Sequence, residues 1–310
     1  MITAYSLQEN KIRAVPPEEL GNNRFTWVRS VSPDKEEVRK LAEISNIPIP
    51  ELTESSEEDE RPRLTKKRYM ELIYSAPHIY KEEGLQTQEI YFYLAKNMVI
   101  TIENERNKIL EKIEKKCSKN RVKFLLRSPG KFLFHALDEI NDDFLTFIDK
   151  TAATIESTKV ADLKKINFVD LYARSITFAY FNQALVANLE VLNQLKKSHH
   201  RAFAAEDRQN FAELYYDKLQ ILDTEKIQRE LIMNLIDIKT ISSTEKLNLT
   251  IKRLTSLALL IAIPTLISSV YGMNIPLPMQ NDPNAIYYLA SLMVIPTLIL
   301  FTLMKFYDWI

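Results

Sequence analysis

The chain has 310 residues, of which 46% are apolar and 26% are charged, and its 41 basic residues balance its 41 acidic residues. Four glycines and a single cysteine exclude collagen-like and disulfide-stapled proteins, and they cannot supply a GxGxxG dinucleotide loop or a Walker A phosphate loop. The zero net charge gives no general electrostatic reason to expect nucleic-acid binding.

Short segments with alternating apolar residues dominate residues 1–130 and predict β-strands. The predicted strands lie at 25–29, 68–76 and 89–104, and helical patterns lie at 33–45 and 105–117. The last strand segment reads as a hairpin that turns at Lys96 and Asn97. The acidic run 51–60 is predicted to be a solvated loop, because carboxylates clustered in sequence need not converge in space. Together these patterns predict a cytosolic α/β domain.

From Lys131 to Tyr271 the sequence contains no glycine and a single proline, Pro264. The absence of helix breakers predicts long helices, with loops near 159–167 and 199–207. The last of these helices carries apolar residues at steps of three to five, which predict a one-sided packing stripe over Phe211, Leu214, Leu219, Leu222, Ile227, Leu231, Leu235 and Ile238. An unbroken helix from about 207 to 272 would be roughly 100 Å long.

Charge stops after Lys252 and Arg253, and Asp282 is the only charged residue between 254 and 304. This stretch divides into two apolar runs, 254–271 and 285–304, each of about bilayer length. The alternative is a buried hairpin in a soluble core, although such cores rarely need two such runs back to back. Lysine and arginine flank the runs on the side of the termini and are absent from the connector, so we expect a multi-pass cell-membrane protein with both termini cytoplasmic.

The first apolar run ends in the tetrapeptide Tyr271, Gly272, Met273 and Asn274. A YGMN sequence in this place, after a long breaker-free helix and before a second span, resembles the CorA family of divalent-cation channels. The resemblance covers essentially the whole chain and includes WV at 27–28, RPR at 61–63, the strand pair 88–103 and NLTIKRLT at 248–255. The chain departs from the family in two places, since its connector has only Asp282 as an acid and its tail has one lysine.

The resemblance implies an α+β membrane protein that forms a funnel-shaped homopentamer, with the YGMN residues as the selectivity filter and Asn274 as the main ion ligand. Matching the motif backward along the helix places the family's pore-lining positions on Asp237, Asn248, Ile251, Leu254, Ala262, Thr265 and Ser269. Ile251 and Leu254 would form a hydrophobic constriction, and Asp237 a carboxylate ring at the cytosolic entrance. Glu213 falls on a regulatory acid that would bind cytosolic Mg²⁺ between protomers and favour closure.

The residues also support a passive channel on chemical grounds. Two spans from one chain cannot enclose an aqueous path, so transport requires several chains around an axis. The polar positions of the first span are neutral, which disfavours proton exchange, while neutral oxygens can hold hydrated Mg²⁺ through its water shell. An inside-negative membrane supplies a divalent ion with about 4.6 kcal/mol per 100 mV, so no organic cofactor and no enzymatic step are expected.

The predicted organisation has seven parts: an α/β domain at 1–130, a helical bundle at 131–206, a stalk helix at 207–253, a pore-lining span at 254–273, an outer loop at 274–284, a second span at 285–304 and a cytosolic tail at 305–310. The favoured function is Mg²⁺ influx, with Co²⁺ or Ni²⁺ as further cargo. One alternative is a zinc transporter of the related ZntB type, which typically has Ile where Met273 stands. The other is a non-transport protein, such as a membrane-anchored scaffold or a cytosolic enzyme with a hairpin anchor. For the favoured function, the expected partners are sister copies of the chain, the lipid bilayer and divalent cations.

Overall fold

The computed structural model describes residues 2–9, 11–16, 25–57, 60–80, 84–95, 97–156 and 167–309. The chain forms two compact units, Met1–Asn234 and Leu235–Ile310. The division falls inside one helix, so this helix contributes residues to both units.

The first unit contains a seven-stranded mixed sheet with the order β2-β1-β3-β7-β6-β5-β4. Its strands are β1 (Ile2–Gln8), β2 (Lys11–Ala14), β3 (Thr26–Val31), β4 (Arg63–Lys66), β5 (Met70–Tyr80), β6 (Gly84–Ala95) and β7 (Met98–Glu103). Strands β3 and β7 are parallel, and the other neighbours are antiparallel. The predicted hairpin is confirmed, since Ala95 pairs with Met98, although Lys96 at its turn lies outside the described residues.

The unit also holds helices α1 (Lys35–Ser45), α2 (Ile49–Glu57), α3 (Lys108–Ser118), α4 (Pro129–Glu156), α5 (Phe168–Lys196) and the first part of α6 (Ala205–Tyr271). A capping box starts α1, because the Asp34 carboxylate accepts from the Glu37 backbone N–H and the Glu37 carboxylate accepts in return. Helix α2 corrects the loop predicted for the acidic run, whose residues 58 and 59 lie outside the described part of the chain. The predicted interhelical loop at 159–167 likewise lies outside the described residues, except for Asn167.

Both faces of the sheet are buried at its central strands β3 and β7, which is why apolar residues occupy consecutive positions in them. One face carries Tyr91, Tyr93 and Ala95 and packs on Val38 and Leu41 of α1. The opposite face carries Trp27, whose ring lies 4.9 Å from that of Phe132 on α4. Tyr91, Tyr93 and Ala95 therefore point to one face of β6, as expected from the two-residue period of a strand.

A buried ion cluster ties β3, β7 and α3 together. The Arg29 guanidinium donates to Glu103 Oε1 at 2.7 Å and to Glu114 Oε2 at 2.6 Å. Burial raises the pKa of Glu103 to about 7 despite the opposing effect of Arg29. Glu114 also accepts from the Thr3 hydroxyl at 2.8 Å, so its carboxylate faces the sheet and not the solvent.

The apolar stripe predicted along α6 is only partly correct. Phe211, Leu214 and Leu222 are buried, whereas Ile227, Leu231 and Ile238 are exposed on this chain. The buried face of α6 also includes two charged residues, Lys218 and Glu225. The spacing detected one side of the helix, but it could not show which turns of α6 are covered by the sheet and by α4 and α5.

Lys218 is fully buried between β5 and α4. Its ammonium donates to Asn141 Oδ1 at 2.7 Å and lies 4.4 Å from the ring centre of Phe144 and 5.2 Å from that of Tyr74. Cation–π interactions with the two rings stabilise a charged amine by about 2 kcal/mol, which is less than the cost of removing the charge from water. Burial therefore lowers the pKa of Lys218 well below its ordinary value of 10.5.

We expect Lys218→Met to change how stability depends on pH. Between the lowered pKa of folded Lys218 and 10.5, the unfolded chain binds one more proton than the folded chain, so the parent gains stability as pH rises. Relative to the variant, its free energy of unfolding should increase by about 1.4 kcal/mol per pH unit in that window. Thermal unfolding of both full chains in detergent between pH 7 and 10 measures this. A constant difference between their melting temperatures would contradict it.

Candidate functional site

The second unit contains the rest of α6 and helix α7 (Ala285–Phe306), joined by a connector. Within the described chain, two helices, α6 and α7, are long and apolar enough to cross a membrane. They contain the two apolar runs identified in the sequence. Pro264 and Pro296 lie inside these helices and do not end them.

Helices α6 and α7 face each other along one side. Ser256 is fully buried and Leu260, Ile263 and Ile267 are half-buried on α6, while Met304 is buried on α7. The Ser256 hydroxyl donates to the Trp309 carbonyl at 3.5 Å, and the Ser268 hydroxyl lies 3.9 Å from Met293 Sδ. These contacts define which side of α6 is already occupied within a single chain.

The predicted pore-lining residues lie on the other side of α6. At about 100° per residue, all of them fall within one third of the helix circumference, roughly opposite the side facing α7. All of them are exposed on the single chain: Asp237, Asn248, Ile251, Leu254, Ala262, Thr265 and Ser269. The fold therefore leaves this stripe without an intrachain partner helix among the described residues. The Thr265 hydroxyl donates to the Ile261 carbonyl at 2.8 Å, which leaves its oxygen free to accept.

The YGMN residues form the end of α6 and the turn after it. Tyr271 is the last helical residue, and the Gly272 N–H still donates to the Ser268 carbonyl at 2.9 Å. Gly272 does not have a positive φ, so a glycine is favoured here by close packing and not by backbone strain. An added Cβ would lie 3.3 Å from the Ser268 carbonyl oxygen. Met273 and Asn274 are exposed beyond the helix end. The Asn274 amide is thus presented immediately past the polar stripe.

The connector is organised by local hydrogen bonds. The Leu277 N–H donates to Gln280 Oε1 at 3.1 Å, and Met279 has a left-handed backbone with φ of 61°. Asp282 Oδ1 accepts from the Asn284 N–H at 2.8 Å, and the Asp282 carbonyl accepts from Ala285 at the start of α7. The single acid of the connector therefore forms the turn into α7.

If the chain transports Mg²⁺ as the YGMN resemblance implies, we expect Asp282→Asn to leave uptake within about twofold of the parent. An asparagine side chain keeps the oxygen that accepts from the Asn284 N–H, while the negative charge is lost. Initial uptake rates in proteoliposomes test this. A drop of tenfold or more would show that the carboxylate itself contributes to cation entry.

The predicted regulatory residue, Glu213, lies exposed on α6 in the first unit. Within the described residues, no three His, Cys, Asp or Glu side chains converge to hold a metal ion. Glu213 therefore does not belong to a cluster of three such side chains within the described part of one chain.

Carboxylates of α4 differ in environment. Asp142 is exposed, whereas Glu139 is buried and accepts from both Lys112 and Lys116. Burial, assisted by nearby Asp142, raises the pKa of Asp138 to about 6. The sequence signal that distinguishes Glu139 is the pair of lysines one turn apart on α3, but only the packing of α3 on α4 brings them together.

An α/β unit followed by a long helix and a second apolar helix is the arrangement expected of an integral membrane protein with two spans. Residues 22–305 match the model of the family described as CorA-like Mg²⁺ transporter protein, and the chain belongs to this family. The family consists of ion transporters for magnesium and cobalt, which confirms the resemblance carried by the YGMN sequence.

Individual relatives support the same assignment. The cobalt/magnesium transport protein CorA of Methanocaldococcus jannaschii is 29% identical over 93% of this chain and 92% of its own length. The complete structure of that organism's CorA magnesium transporter superposes with a TM-score of 0.87 at 26% identity, covering 100% of this chain and 99% of the other. The ZntB cytoplasmic domain of Vibrio parahaemolyticus has a TM-score of 0.65 at 11% identity over 78% of this chain and 98% of its own, a likeness of fold alone.

Proposed function

We propose that the chain assembles as a funnel-shaped homopentamer and acts as a passive Mg²⁺ influx channel. The observation that carries this proposal is the exposed stripe on α6, opposite the side that packs on α7, in which small and polar residues outnumber the two large apolar ones. Five copies of this stripe around an axis enclose an aqueous path that one chain cannot form. Helix α7 then separates the pore helices from lipid.

Selection occurs at the outer end of α6. Five Asn274 amides, held by the turn at Gly272 and flanked by Tyr271 and Met273, contact the water shell of the ion. Mg²⁺ dehydrates reluctantly, so recognition through retained water suits its chemistry. The same arrangement admits Co²⁺ and Ni²⁺, whose hexahydrated ions have similar geometry.

Closure occurs near the cytosolic end of the first apolar run. Ile251 and Leu254 are about half exposed on the single chain and form a ring that excludes water when the helices approach. Cytosolic Mg²⁺, bound between neighbouring copies through Glu213, stabilises the closed state because it binds that state better. Asp237 forms a carboxylate ring that concentrates cations at the cytosolic entrance.

Orientation follows from the basic residues. Lys252 and Arg253 precede the first span and Lys305 follows the second, which supports an orientation with both termini in the cytoplasm and the connector outside. An inside-negative potential then drives inward flux without ATP.

Ion flux into proteoliposomes containing the purified chain tests the proposal. Mg²⁺ uptake should rise when a potassium diffusion potential makes the interior negative and should fall when the potential is dissipated. Uptake of zinc but not magnesium would favour the ZntB-type alternative. Absence of any divalent flux from an intact oligomer would favour the scaffold.

A further inference from the structure

A strongly basic groove of about 490 Å³ lies along α3 in the first unit. Seven residues line it, six basic and one acidic: Lys108, Lys112, Lys115, Lys116, Lys119, Arg121 and Glu111. The whole chain has no net charge, so this concentration of positive charge is a local feature.

The periodicity of α3 gathers the lysines on one surface. Ile109, Leu110, Ile113 and Cys117 are buried against the domain. Lys108, Lys112, Lys115 and Lys119 follow one another at three or four residues and are exposed. Residues at this spacing are neighbours on a helix surface, so their ammonium groups can reach one ligand together.

Nearby carboxylates do not balance this charge. Glu114, which also belongs to α3, turns inward to Arg29. Glu139 is shared by Lys112 and Lys116, and Glu111 pairs with Lys115 at 2.6 Å. Asp142 and Asp143 of α4 also lie near Lys112. Four carboxylates therefore face six cations, which leaves a net positive charge of about two. A helix surface that is merely solvated usually alternates the two signs.

The chemistry of the groove indicates its ligand. Lysine ammonium groups and arginine guanidinium groups form short, charge-assisted bonds with phosphate oxygens. The described lining contains no aromatic side chain on which a base could stack, and the volume lies in the range of small-molecule sites. We propose that this groove binds a small soluble anion with several adjacent phosphate groups, such as a nucleoside triphosphate or a short inorganic polyphosphate. This site lies outside the proposed ion pathway.

The test uses the full chain in nanodiscs of zwitterionic lipid, titrated calorimetrically with tripolyphosphate in Mg²⁺-free buffer. The groove variant is Lys115→Ala with Lys119→Ala, because neither lysine contacts Glu139. The matched control is Lys35→Ala with Lys40→Ala, which removes two exposed lysines from α1. We expect binding to weaken at least tenfold in the groove variant and less than twofold in the control, and the parent's affinity to fall as salt is added.

Absence of binding by the parent, or equal weakening in both variants at unchanged melting temperature, would overturn the proposal. Nanodiscs with anionic phosphatidylglycerol distinguish the source of the phosphate. If anionic lipid abolishes tripolyphosphate binding by the parent, headgroups occupy the groove and the soluble ligand is excluded. Unchanged binding in these nanodiscs supports the soluble anion. The measurement needs no ion flux, so its outcome is independent of the channel proposal.

Discussion

Asn274→Ala should abolish potential-driven Mg²⁺ uptake, lowering the initial rate by about 100-fold, which corresponds to ~2.7 kcal/mol in the barrier. The substitution removes one amide from each chain and five from the proposed ring. The amide oxygens of the ring accept hydrogen bonds from the water shell of the ion, and a methyl group cannot do so. Uptake into proteoliposomes at a fixed inside-negative potential measures the loss.

The matched control for this experiment is Asn284→Ala. Asn284 lies in the same connector, is exposed, and makes no side-chain capping bond to α7. We expect this variant to transport at the parent's rate. Equal oligomer size for all three proteins separates a filter defect from an assembly defect. Normal uptake by Asn274→Ala would exclude the asparagine ring as the selectivity site.

Leu254→Ser should produce a channel that leaks when internal Mg²⁺ is high. Leu254 is 62% exposed on the single chain and lies on the stripe opposite α7. A serine hydroxyl binds water, so a ring of serines no longer closes the path by dewetting. We expect residual flux at saturating internal Mg²⁺ to rise about tenfold above that of the parent.

Leu257→Ser provides the comparison. Leu257 is 56% exposed and carries the same side chain, but at about 100° per residue it lies outside the stripe. The same loss of apolar area should leave closure unchanged there. Equal leakage from both variants would mean that the effect comes from weakened helix packing and not from a constriction at Leu254.

Much of the first unit could be predicted from local patterns. Strands β3, β5, β6 and β7 and helices α1 and α3 lie where alternation and helical spacing placed them, because these patterns report which face of an element is apolar. The loop predicted for the acidic run was wrong, because the run lies in the short helix α2. Leu52 of this helix is buried in the core, but the residues that follow it are mostly polar and gave no helical pattern. The domain boundaries, the pentamer and the roles of the site residues remain predictions.

By itself, the sequence determined the two apolar helices, the neutral polar positions within the first of them and the YGMN end of α6. These features depend only on residue order and on the absence of charge. It also identified the family. Tertiary structure alone decided which side of α6 packs on α7, and therefore that Thr265 and Ser269 share the uncovered side. It likewise placed Lys218 inside the core and gathered the lysines of α3 into one groove. A periodic pattern marks the faces of a helix, but packing decides which face meets protein and which is left for an ion, a ligand or another chain.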